Sequence, residues 1–480
     1  MGKNIVNRFS ILVFILLSAC APARIFNVAD PGTGDFWIQF LLRGSADHDP
    51  SLHDTFREDS PHSLELDWTL AIGSPNSMVN GQDLVVDQNG FIYVLAGTDG
   101  GIYIPQAIGT EDIIVGKYDS QRNEIWTQQL GAANARLESV GLTVDSNGNV
   151  YVTGNTYDDG FLIRPVASSL DMFIIKFNAD GTRGWTAQTG AIGPDFLTNP
   201  RGICVDTFGN TYVVGESNGP FGGPEVGGDN GFIVKFDSNG NQVWARQLSI
   251  RNALIQPKAV AFDGFSGDIY MVGTSARVNF ETYTAAGIGL SDLFILKYDG
   301  DNGNRSFFAQ LGFPLKNVEG NFITVDPMGN VFVGGQSNAD FGSGADGTAN
   351  LGTLVKYNSL GVRQWIRQFG PKRGLQIKTG INKLTTDVHG NVYSTGITNA
   401  NILDENKAAL SQNEVFLTKH DPFGRIEWAR QFGTPVVGII WPAGIGVDLK
   451  GNLYFAGNTD RGLDWLPRVG MVDLFISKYK

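Results

Sequence analysis

The chain has 480 residues, a formal net charge of −12 and 42% hydrophobic side chains. That length exceeds one ordinary small core and calls for two or three domains or one large repetitive one. The acidic balance excludes a nucleic-acid partner, because a phosphate backbone demands clustered Lys and Arg. Two cysteines cannot build a disulfide framework. The 62 glycines, with only 18% charged and 11% aromatic residues, predict many strands joined by tight turns.

The N-terminus reads as an address. Lys3 and Arg8 give a basic start, 9–17 is apolar apart from Ser10, and Leu17-Ser18-Ala19-Cys20 follows. The apolar run is shorter than the roughly 20 residues that span a bilayer as a helix, and it has the length of a signal-peptide core. This order resembles the bacterial lipoprotein signal. The resemblance implies cleavage before Cys20 and lipid attachment at Cys20, with the cell envelope as location. Ala21, Pro22 and Ala23 include no Asp, which by the same analogy favours the outer membrane. Residues 1–19 are then a removed signal peptide and 20–62 a lipidated Cys with a polar tether. That tether carries Pro22, Pro31, Pro50 and Pro61 and three of the five histidines.

From residue 63 to 480 the chain repeats itself. V-D-x-x-G-N-x-Y, with variations, recurs at Asp87, Asp145, Asp206, Asp263, Asp326, Asp387 and Asp448, in steps of 57 to 63 residues. An apolar run ending in Lys plus an aromatic recurs at Lys117, Lys176, Lys235, Lys297, Lys356, Lys419 and Lys478, with His420 in place of one aromatic. Trp follows nine residues later at Trp126, Trp185, Trp244, Trp365 and Trp428. Phe307 substitutes once, and Trp68 stands upstream of the first Asp. Gln comes three residues after the aromatic in six units. Each unit thus holds four segments rich in Val, Ile, Phe, Tyr and Trp, as strands require. They are apolar on both faces, so both faces are buried. Seven units of four antiparallel strands predict an all-β, seven-bladed β-propeller. The chain enters at a fourth-strand signature and leaves at a third-strand one. The segment 68–73 is therefore expected to close the ring as the outermost strand of the last blade.

The pattern V-D-x-x-G-N-x-Y-V-x-G-x-[ST], followed by a variable loop and D-x-F-x-x-K, resembles the bacterial β-propeller repeat called SBBP. The likeness covers roughly 65–480. The Asp before the third strand is kept at Asp112, Asp171, Asp292 and Asp473 and replaced by Asn230, Leu351 and Glu414 elsewhere. The repeat implies a fold and no single activity.

The repeated polar residues read as architecture. Each D-x-x-G-N turn offers one carboxylate, too few for calcium, and its Asp is expected to accept turn amides while Gly takes positive φ. The stretch 299–304 is more calcium-like, with its Gly one place early for an EF-hand. The repeated Lys is expected to pair with the turn Asp or to lay its stem on Trp. Cys204 reads as a buried thiol, and His389 and His420 occupy repeat positions, so neither histidine points to a general base. No catalytic group, metal or cofactor is expected. Function is expected in the second-to-third connections, which differ in every blade and lie at one end. Their candidate binding residues are Asp158, Asp159, Phe161, Phe221, Phe280, Tyr283, Asp340, Phe341, Asp404 and Trp465. The expectation is a monomeric, membrane-anchored binding module for a protein or glycan. A periplasmic envelope-assembly scaffold and a carboxylate-dependent polysaccharide-active enzyme stay open as alternatives.

Overall fold

The computed structural model describes residues 64–480 apart from 103–106, 134, 158–169, 194, 224–229, 281–286, 375–377, 403–413, 434–437 and 464–467. The expected signal peptide, Cys20 and the tether lie outside the described residues. The described chain forms seven four-stranded antiparallel sheets. Blades 1 to 6 span 79–130, 137–189, 198–248, 254–311, 318–369 and 379–432, each with its strands in sequence order. Blade 7 takes three strands from 440–479 and its outermost strand from the N-terminus. Leu66–Ile72 pairs antiparallel with Asp473–Tyr479, from Leu66 opposite Tyr479 to Ile72 opposite Leu474. The closure expected from the order of signatures is the closure observed.

The burial pattern follows from the stacking of blades. Second and third strands are buried along almost their whole length, as in Val150–Thr156 and Asp112–Tyr118. First strands, bordering the axis, mix buried and half-buried residues, whereas fourth strands, at the rim, open on exposed residues and are mostly half-buried beyond them. The apolar core is divided into seven clusters, each joining blades that are neighbours. One unites Tyr93, Leu95, Val115 and Trp126 of blade 1 with Leu142, Val152, Phe173 and Phe177 of blade 2. No blade owns a core of its own, so a single unit would leave most of this apolar area in water.

Every first strand shifts register once against the second, at Gly81/Asp83, Ser139/Gly141, Pro200/Gly202 and their equivalents. Such bulges increase the twist that a narrow inner strand needs. They also admit proline: Pro200, Pro257 and Pro442 flank the shift on the axis-facing edge strand, where a missing ladder donor is tolerated. First-to-second and third-to-fourth connections form one end of the ring, the short-turn end. Second-to-third connections and the links between blades form the other, the loop end.

Candidate functional site

The repeated side chains are consumed by the frame. In blade 3, Asp206 Oδ1 accepts the amides of Phe208 and Asn210 at 2.8 and 2.9 Å. Its Oδ2 accepts Asn210 Nδ2 and the Tyr212 hydroxyl at 2.7 and 3.1 Å, while Gly209 takes φ of 79°. The same set recurs around Asp145 and Asp448. The expected Asp–Lys ring is replaced by another arrangement, and in blades 1, 2, 3, 6 and 7 the second-strand Tyr hydroxyl donates to the turn carboxylate instead. In all seven blades the lysine ammonium lies over the second-strand aromatic, 5.0 to 5.7 Å from its centroid. Lys is thus stacked on Tyr or Phe rather than on Trp.

The Lys and Trp of one blade also share a single acceptor in the next. Lys117 Nζ and Trp126 Nε1 both donate to Ala179 O, at 3.3 and 3.1 Å. Lys356 and Trp365 both donate to Pro422 O, each at 3.1 Å. At the seam Lys478 and Trp68 donate to Ser120 O, each at 3.2 Å. The turn glycine of the following blade lets the ring approach: a Cβ on Gly181 would lie 2.7 Å from the Trp126 indole. Blade 4 departs from this. Its third-to-fourth turn, the calcium-like stretch, is one residue longer, and Asp299 accepts the amides of Asp301 and Asn302 within it. Gly300 O there takes Lys235 and Tyr212, and the Trp244 indole N–H finds no hydrogen-bond partner.

The fourth-strand Gln governs the loop end. Gln129 Nε2 donates to Asp112 and Gly100 O at 2.8 and 3.0 Å, and its Oε1 accepts the Ile102 amide at 3.1 Å. Gln247 and Gln310 likewise accept the amides of Phe221 and Phe280. In blades 1, 3, 4, 5 and 6 the second-to-third connection is therefore pinned four or five residues after its second strand's Ser or Thr.

Beyond the pinned residues, two charged groups stand at the loop end where blades meet. Arg136 Nε is 2.9 Å from Glu111, and its Nη2 2.5 Å from Glu138. Tyr157 donates to Glu138 at 2.6 Å beneath the Arg136 guanidinium, 4.9 Å from the ring centroid. Burial, reinforced by Glu138, pushes the Tyr157 hydroxyl up to about 12. Between blades 3 and 4, Glu216 lies 3.4 Å from Arg201 and 3.6 Å from Lys258.

The comparisons with known proteins agree with this frame. A family model described as a β-propeller repeat, SBBP, matches six segments: 125–161, 184–222, 243–281, 307–342, 364–404 and 427–464. Each segment runs from a fourth strand into the next second-to-third connection. This is an SBBP-repeat β-propeller. The SBBP propeller is also 28% identical over 174 residues to the regulatory protein FlaEY of Caulobacter vibrioides, covering 33% of this chain and 18% of that protein. The chain thus spans less than a fifth of that relative's length. Among solved structures it is similar to an inactive virginiamycin B lyase from Staphylococcus aureus, with TM-score 0.45 and 11% identity, covering 85% and 98% of the two chains. It is also similar to a chain of a mitotic checkpoint complex, with TM-score 0.47 and 8% identity, covering 88% and 94%. A quinohemoprotein alcohol dehydrogenase from Comamonas testosteroni gives TM-score 0.43 and 12% identity, covering 87% and 77%. At these values no activity transfers to the SBBP propeller.

Of the candidate loop residues, Asp158, Asp159, Phe161, Tyr283, Asp404 and Trp465 lie outside the described residues. Phe221 and Phe280 are core: they are 5% and 0% exposed, and their rings meet Phe232 edge-on and Phe294 at a tilt, both on the third strand. Phe341 is half-buried against Phe313. Asp340 is exposed, accepting the amides of Gly342 and Gly344 inside its own turn. Partial burial raises its pKa, but these amides and Ser343 outweigh that and leave it below its ordinary value. The repeat holds an aliphatic at the Phe221 position in other blades, Ile102 and Ile402, which is the signal that marks it as core. Arg136 and Glu138 escaped sequence reasoning because they precede or open a first strand, outside the loops that vary most.

Proposed function

We propose that this SBBP propeller is a non-catalytic binding module. It is held at a membrane of the bacterial envelope by lipid on Cys20 and offers its loop end to a protein or glycan. The observation that carries the reading is the division of labour just described. The repeated Asp and Gln brace each blade's own turns and loops, Lys and Trp reach across to the next blade, and side-chain chemistry that differs from blade to blade collects at the loop end. The Glu111–Arg136–Glu138–Tyr157 group is a suitable recognition element there. An aromatic edge, a guanidinium and two carboxylates in one place offer both donors and acceptors to hydroxyl-rich or peptide ligands.

The test is a panel of immobilised glycans and envelope proteins probed with the full chain and two variants. Arg136→Ala with Tyr157→Ala is expected to lower capture of the bound ligand at least about tenfold, as loss of two central contacts does. Phe208→Ser, at the opposite end, is expected to leave capture unchanged. The reverse pattern, or release of a cleaved product from a captured glycan, overturns the reading.

A further inference from the structure

Eight large apolar side chains among the described residues are more than 60% exposed, and six of them stand at the short-turn end. They are Phe208 (81%), Leu360 (77%), Met328 (74%), Phe265 (72%), Phe423 (69%) and Leu449 (61%). Each occupies the tip of a hairpin turn whose shape is set by Asp or Asn and Gly, so the turn has no use for an apolar tip. Blades 1 and 2 show this: Asn89, Asn147, Gln121 and Asp180 occupy their tips. The apolar tips form an arc over blades 3 to 7. Scattered apolar residues are ordinary on a surface. Six of the most exposed on one end, at positions where polar residues fold equally well, are not scattered.

The path of the chain identifies the occupant. Glu65 N donates to Lys480 O at 3.1 Å, and Lys480 N to Glu65 O at 2.9 Å. These two residues stand where other blades have their third-to-fourth turn, so the described chain starts at the short-turn end, and residues 1–63 precede it in sequence. That segment carries the apolar run 9–17 and Cys20. We infer that the short-turn end seats on the membrane surface, with its apolar tips in the interfacial layer and the loop end facing away. The tips stand on separate hairpins among polar turn groups. A lipid surface accepts such separated wedges, whereas a rigid partner needs a continuous complementary patch. The turns are rich in carboxylates and the chain is acidic, so the surface that fits is zwitterionic. A fully extended stretch from residue 20 to 63 reaches roughly 150 Å, so the tether alone does not orient the propeller. The role given to the tether rests on the anchored reading above; the arc of tips does not.

The experiment places a polarity-sensitive fluorophore at Leu360→Cys, Phe423→Cys or, at the loop end, Ile192→Cys in the full chain. Cys204 is buried and does not compete for label, and the unsubstituted chain supplies the baseline for Cys20. On phosphatidylcholine vesicles, sites 360 and 423 are expected to shift to the blue and to be quenched by lipid-borne quenchers, while site 192 stays aqueous. A vesicle-bound protein with all three sites aqueous overturns the seating and leaves the anchor standing. A protein that stays in the supernatant overturns both. Shielding at 360 and 423 without vesicles, with doubled mass, makes a second copy the occupant and also overturns the proposal. In a chain carrying Cys20→Ser, adding Phe208→Ser, Phe265→Ser and Phe423→Ser is expected to weaken vesicle binding at least about tenfold, with an unchanged unfolding midpoint. Equal binding counts against the proposal.

Discussion

His420 stands where six blades have Tyr or Phe, and it shows what the repeat demands of that position. It is buried, with its ring 5.8 Å from that of Phe369. Burial, helped by nearby Arg367 and opposed by Asp421, lowers its pKa to about 4. The folded state therefore refuses a proton that the unfolded chain accepts below its ordinary value of 6.5. Stability from this residue is complete above that value and is lost as pH falls toward 4, by roughly 3 kcal/mol over the window. His420→Phe is expected to remove that loss. Urea unfolding at pH 7.5 and 4.5 should show a smaller drop for the variant than for the parent, and equal drops would refute the assignment. The indoles allow a paired comparison. Trp126→Phe removes a donor bonded to Ala179 O, whereas Trp244→Phe removes a donor that has no partner. Both lose similar packing, so the first is expected to cost about 1 kcal/mol more than the second.

At the scale of the strand, the seam of the ring copies the junctions of blade 1 with 2 and of blade 5 with 6. Trp68 and Lys478 reach Ser120 O just as Trp126 and Lys117 reach Ala179 O, although the two partners of the seam are the two ends of the described chain. Asp67 adds a link to Lys480 at 2.8 Å. Trp68→Ala removes both the indole bond and its contact with Tyr454. A loss of about 3 kcal/mol is expected, and hydrogen exchange should speed first in 473–479 and in the edge of blade 1 facing it. Uniform acceleration across all blades would mean that the seam is no weaker than its neighbours.

This closure was legible in the sequence because strand order is a one-dimensional fact: the fourth-strand signature precedes the first Asp, and the last unit stops at its third strand. The blade count and the Asp turns were legible for the same reason, since repetition separates scaffold from decoration. Partner choice was not legible. Lys with Asp and Lys with Trp satisfy the same spacing as Lys on Tyr; Lys235 stands opposite both Tyr212 and Trp244 in the sheet, and only the course of its side chain puts the ammonium over Tyr212. Phe221 keeps the four-residue offset from Ser217 that Ile102 and Ile402 keep from Thr98 and Thr398, but it opens a segment whose length varies, and Phe280 is offset by one more residue, so the repeat position is easily taken for loop.

For the molecule as a whole, the axis matters most. The residues following the first-strand bulges are Asp83, Gly141, Gly202, Ala259, Phe322, Lys383 and Gly444. Four are Gly or Ala, which leaves room for one long side chain. Lys383 uses it, reaching from blade 6 past blade 7 to Asp83 of blade 1 at 2.8 Å, with its ammonium 5.1 Å from the Phe322 ring centroid. Asp83 in turn accepts the Leu142 amide of blade 2 at 3.2 Å. Blades 1, 2, 5 and 6 are thus tied at mid-height by a pair whose side chains are only 13% and 18% exposed. Lys383→Met leaves Asp83 with no counter-charge and is expected to cost about 3 kcal/mol. Asp83→Ala added to it should recover most of that loss, because the desolvated carboxylate is gone. A urea-unfolding cycle over the parent, both single variants and the double variant measures the coupling. A coupling near zero would mean that water screens the pair, leaving the channel wet through its middle. A coupling of 1 kcal/mol or more would mean that the strut is dry, and that a ligand bound at the loop end meets a closed floor rather than a passage to the short-turn end.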